Sequence, residues 1–265
     1  MSTLTVNNLI VGETSFNATF NAPCVVGVYA RDHMLVSAFL DLLAGINQTN
    51  QSIMYNDQDV FNNATYFKER FYGNFEKPCP STLRAAYLKS QLQTNWQLSF
   101  NEGEFSKIVK ELNIRSELTI DCRYRFSKAG NTLTNYALIR SLEKPFIIID
   151  NPTIALNSFE QIEPVVLGLT DKNHYEFVFL GIDNLKVFAD KLDYLILIGD
   201  EQTVMVNPKQ DKLIAVSGEA DLKDVIFRSK INITKDVYDK NELKIWDKQK
   251  REYKRISPFD IEVFR

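Results

Sequence analysis

Four short, uninterrupted apolar runs constrain the fold of this sequence more than any other feature. They begin at Cys24, Phe146, Phe177 and Tyr194 and read CVVGVYA, FIIID, FVFLGI and YLILIG. None shows the polar alternation of a strand with one wet face, so both faces should be covered, as in a parallel sheet flanked by helices. Apolar residues spaced three and four apart in LVSAFLDLLAG, NYALIRSLEK and NLKVFADKL predict the crossover helices that parallel strands require. The sequence therefore predicts an α/β fold.

Two segments interrupt this alternation of strands and helices. From residue 78 onward the chain becomes polar and helix-prone, with STLRAAYLKSQLQ and FSKIVKELN, which predicts an inserted helical lobe. Beyond Asp200, TVMVNPKQDKLIAV and LKIWDKQKREYKRI each place two β-like runs around a polar turn, which predicts hairpins. The predicted domains are a core segment (1–77), the helical lobe (78–137), a second core segment (138–203) and a β-rich extension (204–265).

Composition excludes several classes of protein. With 265 residues, of which 45% are hydrophobic, the chain should form a globular core. The 31 basic and 34 acidic residues give a net charge of −3, which provides no electrostatic reason to bind nucleic acid. Cys24, Cys79 and Cys122 are odd in number and widely spaced, which predicts free thiols in a reducing compartment. No apolar run approaches the ~20 residues of a membrane span, and MSTLTVNN is unlike a signal peptide, so we expect a cytoplasmic location.

The order of elements and several short motifs resemble the ATP-binding subunits of ABC transporters, from about residue 4 to residue 200. In ALIRSLEKPFIIIDNPTIALN, Asp150 falls on the Walker B aspartate, Pro152 on the family's proline, and Ala155 with Leu156 on the D-loop pair. LLAG at residues 42–45 is similar to the end of the helix that follows the phosphate loop. The resemblance implies a P-loop-ATPase-like core of the ABC type, with a mostly parallel sheet, the inserted helical lobe and a C-terminal β-hairpin extension.

The segment that aligns with the Walker A loop, G-x-x-x-x-G-K-[ST], lacks the residues with which that loop holds phosphate. Ala30 and Leu35 stand at its two glycines, His33 where a third glycine often stands, and Val36 at its lysine, while Ser37 is retained. A phosphate loop needs glycines so that backbone N–H groups can turn toward the anion, and it needs the lysine to neutralise charge. The sequence therefore predicts a degenerate nucleotide site.

Other positions that the resemblance makes functional have changed as well. Asn151 stands at the catalytic glutamate, and an amide cannot take a proton from water. Ile182 stands at the switch histidine. The signature LSGGQ, which caps ATP held by an opposing subunit, aligns with Lys128, Ala129, Gly130, Asn131 and Thr132 and keeps one glycine. Ser37 and Asp150 remain as candidate Mg²⁺ ligands. Without a phosphate loop, we instead expect Asp150 to be a relic or a helix cap and His33 to be an exposed loop residue.

The resemblance implies a degenerate ABC-type subunit, a pseudo-ATPase acting as the structural or regulatory half of a membrane transport complex. Its partners would be a membrane-embedded ABC transporter subunit and a second ATPase-type subunit, identical or catalytically competent, with no nucleic acid. It would lie in the cytoplasm at the membrane and need no cofactor, although weak binding of ATP and Mg²⁺ stays open. Two alternatives remain: a nucleotide-binding or active ATPase in which Arg31 holds the phosphates, and a protein-interaction scaffold with an ABC-type fold.

Overall fold

The computed structural model describes residues 2–30, 32–46, 52–75, 99–115, 128–183, 185–188, 191–199, 203–208, 238–239, 242–247 and 252–256. Within these residues the α-helices are α1 (His33–Leu43), α2 (Ala64–Glu69), α3 (Glu102–Glu111), α4 (Lys128–Arg140), α5 (Phe159–Leu169) and α6 (Leu185–Phe188), with a 3-10 helix at Val60–Asn62. Its strands are β1 (Thr3–Val11), β2 (Thr14–Asn21), β3 (Cys24–Ala30), β4 (Ser52–Tyr55), β5 (Gln58–Asp59), β6 (Arg70–Asn74), β7 (Phe146–Asp150), β8 (Phe177–Gly181), β9 (Tyr194–Ile198), β10 (Thr203–Val206), β11 (Tyr238–Asp239), β12 (Glu242–Asp247) and β13 (Glu252–Ile256).

A six-stranded sheet contains all four of the apolar runs. Its strand order is β10-β9-β3-β8-β7-β6, and every neighbouring pair is parallel except the edge pair of β9 and β10. The predicted parallel sheet is therefore confirmed. The TVMV run of the first predicted hairpin forms β10 and pairs with β9, whereas KLIAV, its predicted partner, lies outside the described residues.

Both faces of this sheet are covered, as the apolar runs predicted. In β7, Ile147 and Ile149 belong to one buried cluster, whereas Phe146 and Ile148 belong to the other. The first cluster includes residues from α3, α4 and α5. The second includes α1 and the antiparallel sheet described next. Because side chains alternate along a strand, an all-apolar strand can serve both clusters at once.

A second sheet, which the sequence did not predict, is four-stranded and antiparallel with the order β2-β1-β4-β5. Strands β1 and β2 pair from Thr3 opposite Asn21 to Val11 opposite Thr14. Gly12, with φ of +61°, supplies the left-handed residue that their connection requires. This sheet buries its apolar side chains against α1 and one face of the six-stranded sheet.

The helical lobe, the C-terminal hairpin and the cysteines lie only partly within the described residues. The FSKIVKELN helix is α3, and the LKIWDKQKREYKRI hairpin is the antiparallel pair of β12 and β13, with β11 added to it. The STLRAAYLKSQLQ segment, Cys79 and Cys122 lie outside the described residues. Cys24 is a buried free thiol, and its burial raises its pKa to about 12. Among the helices that the structure describes, none has the length and apolar character needed to cross a membrane.

Candidate functional site

The carboxylate of Asp150 is fully buried and accepts three side-chain hydrogen bonds. His33 Nε2 lies 2.7 Å from Oδ1 and donates to it in the tautomer that carries the proton on Nε2. Ser37 Oγ donates to Oδ2 at 2.6 Å, and Asn74 Nδ2 donates to the same oxygen at 3.0 Å. We call these four residues the Asp150 cluster. Each carboxylate oxygen already has a donor from within the chain.

The fold assembles this cluster from three elements. Asn74, Asp150 and Gly181 are the last residues of β6, β7 and β8 and lie in register across the sheet. His33 and Ser37 are four residues apart in α1, so they lie on the same face of its first turns. The carboxyl ends of parallel strands thus meet the start of the helix that follows β3, which is where open α/β sheets commonly place their ligand sites.

Gly181 makes room for the Asp150 carboxylate. A Cβ atom at this position would lie 2.4 Å from Asp150 Oδ1 and 2.9 Å from both Val36 Cγ1 and Leu40 Cδ1. Real Cβ atoms do not approach other atoms so closely. The carboxylate and α1 can therefore pack against β8 because residue 181 has no side chain.

In the described residues, the connection from β3 to the start of α1 is short and is capped by a carboxylate. Strand β3 ends at Ala30 and α1 begins at His33, so only residues 31 and 32 connect them. The Asp32 side chain accepts the Met34 N–H at 2.9 Å, and its backbone carbonyl accepts the Leu35 N–H at 3.1 Å. Free N–H groups at a helix N-terminus are what bind an anion, and here a carboxylate takes one of them. Arg31 lies outside the described residues.

The side chains at the glycine and lysine positions of the aligned loop pack into the core. Val36, at the lysine position, is fully buried in the cluster that contains Phe39 and Leu40. Ala30 is buried in the same cluster, and Leu35 packs against it while half-buried. These side chains can offer a phosphate no hydrogen bond and no charge.

The electrostatic surroundings are acidic. Tyr72 donates to Asp41 Oδ1 at 2.5 Å on the side of the sheet where Asp150 lies. Burial raises the pKa of Tyr72, and the charges of Asp41 and then Asp150 raise it further. Asp32 stands at the start of α1 and Asp150 at the end of β7, so two carboxylates flank the place that the resemblance assigns to a triphosphate. Their field opposes a polyanion.

Both candidate Mg²⁺ ligands already form hydrogen bonds within the chain. Both oxygens of Asp150 hydrogen-bond to side-chain donors, one of which is Ser37, the other candidate Mg²⁺ ligand. Among the described residues, no group of three or more His, Cys, Asp or Glu side chains could hold a metal ion. His33, expected in an exposed loop, instead lies in α1 and contacts Asp150 with about a third of its side chain exposed. Of the two alternatives expected for Asp150, the helix cap is wrong, because its side chain accepts from side chains of other elements, whereas the relic stays a prediction.

Asn151 and Ile182 follow directly on β7 and β8. Asn151 adopts a left-handed conformation with φ of +52°, which asparagine tolerates better than most residues, and its N–H donates to the Gly181 carbonyl at 3.1 Å. Ile182 is fully buried in the cluster on the other face of the sheet, and its N–H donates to the Val28 carbonyl at 2.9 Å. The side chain at the switch position therefore faces away from Val36 and α1, which pack on the opposite face.

The signature-like residues Lys128–Thr132 form the first turns of α4. Thr132 is fully buried, and its hydroxyl donates to the Ile154 carbonyl at 2.8 Å, in the turn that follows β7. Gly130 is buried as well, whereas Ala129 and Asn131 are partly buried and Lys128 is exposed. The structure thus joins these residues to the D-loop-like turn, while it joins His33 and Ser37 to Asp150.

Sequence reasoning missed Asn74, Gly181 and Asp32. Asp32 carries a readable signal, because an aspartate directly before an apolar-periodic segment is a typical helix cap. Asn74 carries no such sequence signal, because its role depends on the pairing of β6 with β7. Gly181 is part of the FVFLGI run, and its importance follows from the contact with Asp150 that the fold creates.

The sequence matches no protein-family profile and no curated protein. Solved structures share its fold. An ATP-binding subunit of an ABC transporter is 17% identical with a TM-score of 0.61, over 77% of this chain and 89% of that chain. A putative ABC transporter ATP-binding protein from Pyrococcus furiosus is 13% identical with a TM-score of 0.56, over 68% and 92%. A bacterial Atm1-family ABC exporter with ATP bound is 12% identical with a TM-score of 0.63, over 78% and 39%. The chain therefore has the fold of the ATP-binding subunits of ABC transporters.

Proposed function

We propose that this chain is a pseudo-ATPase with the fold of an ABC transporter ATP-binding subunit, and that it acts as the structural or regulatory half of a membrane transport complex. The Asp150 cluster is the observation that carries this proposal. An aspartate at this strand end could serve a magnesium ion, yet its two oxygens accept from His33, Ser37 and Asn74. Side chains of this chain therefore hydrogen-bond to both oxygens with which the carboxylate would coordinate a metal ion.

Three further positions support the same conclusion independently. Val36 places a buried aliphatic side chain where a lysine would contact phosphates. Asn151 offers an amide, which cannot act as a general base, and general-base catalysis is typically worth ~100- to 10,000-fold in rate. Ile182 faces the opposite side of the sheet. Reversing one of these changes would leave the other two in place.

The proposed partners follow from the likeness of fold. A membrane-embedded ABC transporter subunit would hold the chain at the cytoplasmic face of the membrane. A second ATPase-type subunit, either another copy or a competent one, would complete the pair. The net charge of −3 gives no reason to add nucleic acid to these partners. No cofactor is needed for this role.

Measurements of nucleotide binding and turnover test whether the chain is a pseudo-ATPase. We expect no heat of binding with Mg·ATP, no turnover and no rise in the thermal unfolding temperature. A ligand at a hundred times its dissociation constant would instead add about 2.7 kcal/mol of stability. Asp150→Asn is the matched control for contaminating ATPases, because only turnover by this chain can depend on Asp150. Turnover that the unmodified chain shows and Asp150→Asn lacks contradicts the proposal.

Sedimentation with membranes tests whether the chain binds a membrane transport complex. Membranes from the source organism, washed free of peripheral proteins, should bind the purified full chain. Vesicles of the extracted lipids alone should not bind it. Binding to both preparations in equal amounts would favour a lipid-binding protein and contradict attachment through a transport subunit.

A further inference from the structure

A second group of polar side chains lies where α3 and α4 meet the connection between α5 and β8. Arg140, the last residue of α4, donates through Nη2 to Asp171 Oδ2 at 2.8 Å, and its Nε lies 3.7 Å from Glu104 Oε1 in α3. Its guanidinium carbon lies 5.5 Å from the centre of the Tyr175 ring. We call Arg140, Glu104, Asp171, His174 and Tyr175 the Arg140 cluster. It shares no residue with the Asp150 cluster.

His174 is the member of the Arg140 cluster that can change its charge near neutral pH. Its ring packs edge-on to the Tyr175 ring, with 4.5 Å between the ring centres. His174 Nε2 is buried and has no hydrogen-bond partner in the part of the chain that the structure describes, and the same holds for Arg140 Nη1 and Tyr175 Oη. The imidazolium form would therefore hold an unsatisfied buried donor close to a permanent positive charge.

The surroundings of His174 act on its proton in opposite directions. Burial lowers the pKa of His174 below its ordinary value of 6.5, and the positive charge of Arg140 lowers it further. The carboxylates of Asp171, Glu104 and Glu143 raise this pKa, but the net direction stays downward. If the segment opens to water, burial is removed and the carboxylates remain nearby. The opened form therefore binds a proton more readily than the closed form.

We propose that His174 is an acid-sensitive switch in the attachment of α3 and α4 to the connection between α5 and β8. Proton binding favours a form in which residues 171–175 move away from Arg140, because only that form hydrates the imidazolium. The ion pair between Arg140 and Asp171 then opens, and this end of α4 is held less firmly. The switch uses none of the Asp150 cluster and does not depend on the proposed function.

Hydrogen exchange of the full chain at pH 7.5 and pH 5.5 tests the proposal. The N–H groups of His174 and Tyr175 both donate to the Asp171 carbonyl at 3.0 Å, so their protection factors report opening of this segment. Protection factors divide out the direct effect of pH on exchange. A histidine with its ordinary pKa of 6.5 is about 10% protonated at pH 7.5 and about 90% protonated at pH 5.5. Both protection factors should therefore fall about three- to tenfold at the lower pH.

His174→Gln removes the proton-binding group and keeps a polar side chain, because an amide does not titrate in this range. Its protection factors at residues 174 and 175 should be the same at both pH values. His33→Gln is the matched control, because the chain contains only these two histidines. This variant should keep the pH dependence of the unmodified protein. Thermal unfolding of each variant confirms that it is folded.

NMR titration of the His174 imidazole in the unmodified chain provides a second measurement that needs no variant. The ring should bind its proton with a pKa below 6.5, since burial and Arg140 both oppose the charge. A pKa at or above 6.5 overturns the proposal. So do protection factors that are the same at both pH values, a pH dependence that persists in His174→Gln, or one that His33→Gln abolishes.

Discussion

At the scale of single residues, the buried Asp150 carboxylate depends on hydrogen-bond donors from other elements. A buried carboxylate without donors is strongly destabilising, and the loss of one donor from a buried acceptor costs about 1–3 kcal/mol. His33, Ser37 and Asn74 provide donors from α1 and β6. The cluster therefore joins three elements, and these donors offset the cost of burying the carboxylate.

Substituting Gly181 by alanine should disrupt this arrangement. The added Cβ would lie 2.4 Å from Asp150 Oδ1, and it would meet Val36 and Leu40 at 2.9 Å, inside a closely packed core. Overpacking of this kind typically costs about 1–3 kcal/mol. Chemical denaturation of Gly181→Ala should show a loss of that size.

Gly103→Ala is the control for this substitution. Gly103 lies in α3, and a Cβ atom there would meet only Asn101 Oδ1, at 3.4 Å. Because alanine favours a helix more than glycine does, Gly103→Ala should leave stability unchanged or raise it slightly. Equal effects of the two substitutions would show that the close approach at residue 181 is unimportant.

At the scale of elements, the strands buried on both faces could be predicted and the antiparallel sheet could not. FIIID and FVFLGI are apolar throughout because each serves two buried clusters. In β1 the alternation is interrupted, since the register with β2 shifts between Val6 and Leu9 and Asn8 has φ of +52°. A bulge of this kind reverses which residues face the core, so the sequence of β1 does not show a regular alternation of apolar and polar residues.

In the candidate site, too, some features could be predicted from the sequence and others could not. Alignment with a known motif identified Val36, Asn151 and Ile182 as altered positions, because that step needs only their order in the chain. The bond between His33 and Asp150 spans 117 residues. It depends on the placement of α1 beside the end of β7, which local sequence does not specify.

Thr132→Val should loosen the connection between α4 and the turn after β7. Valine keeps the shape of threonine but leaves the Ile154 carbonyl without the hydroxyl donor that lies 2.8 Å away. We expect a loss of about 1 kcal/mol in the free energy of unfolding. Hydrogen exchange should also quicken at the amides of Ile154 and Leu156, which bond within this turn.

Thr134→Val is the matched control for Thr132→Val. The Thr134 hydroxyl is also buried, but it donates to the Gly130 carbonyl of its own helix at 2.7 Å. This substitution should therefore leave exchange in the turn unchanged. If both variants accelerate exchange there equally, the link through Thr132 is not what holds the turn.

At the scale of the whole molecule, stability should fall at alkaline pH. Burial raises the pKa of Cys24 from its ordinary value of 9.0 to about 12, with Asp193 adding to the effect. Burial likewise raises the pKa of Tyr136 from 10.0 to about 12. Because the folded values lie above the unfolded ones, the stabilisation is complete below pH 9 and is lost as the pH rises toward 12.

Denaturant unfolding across this pH window provides the measurement. The unmodified chain should lose stability steadily above pH 9. Cys24→Ala removes one of the groups with a raised pKa, so its stability should fall less steeply with pH even if it starts lower. Parallel curves for the two proteins would contradict the assignment to Cys24.

The position of β3 in the large sheet has a consequence for how the chain is made. This strand lies between β8 and β9, so Val26 pairs with both Phe179 and Tyr194, more than 150 residues later. During synthesis, neither edge of β3 can be paired until β8, and then β9, has left the ribosome. Unpaired strand edges in such a nascent chain favour aggregation, and pairings this distant form slowly. Production of this protein should therefore depend on chaperones that shield its amino-terminal third until translation is well advanced.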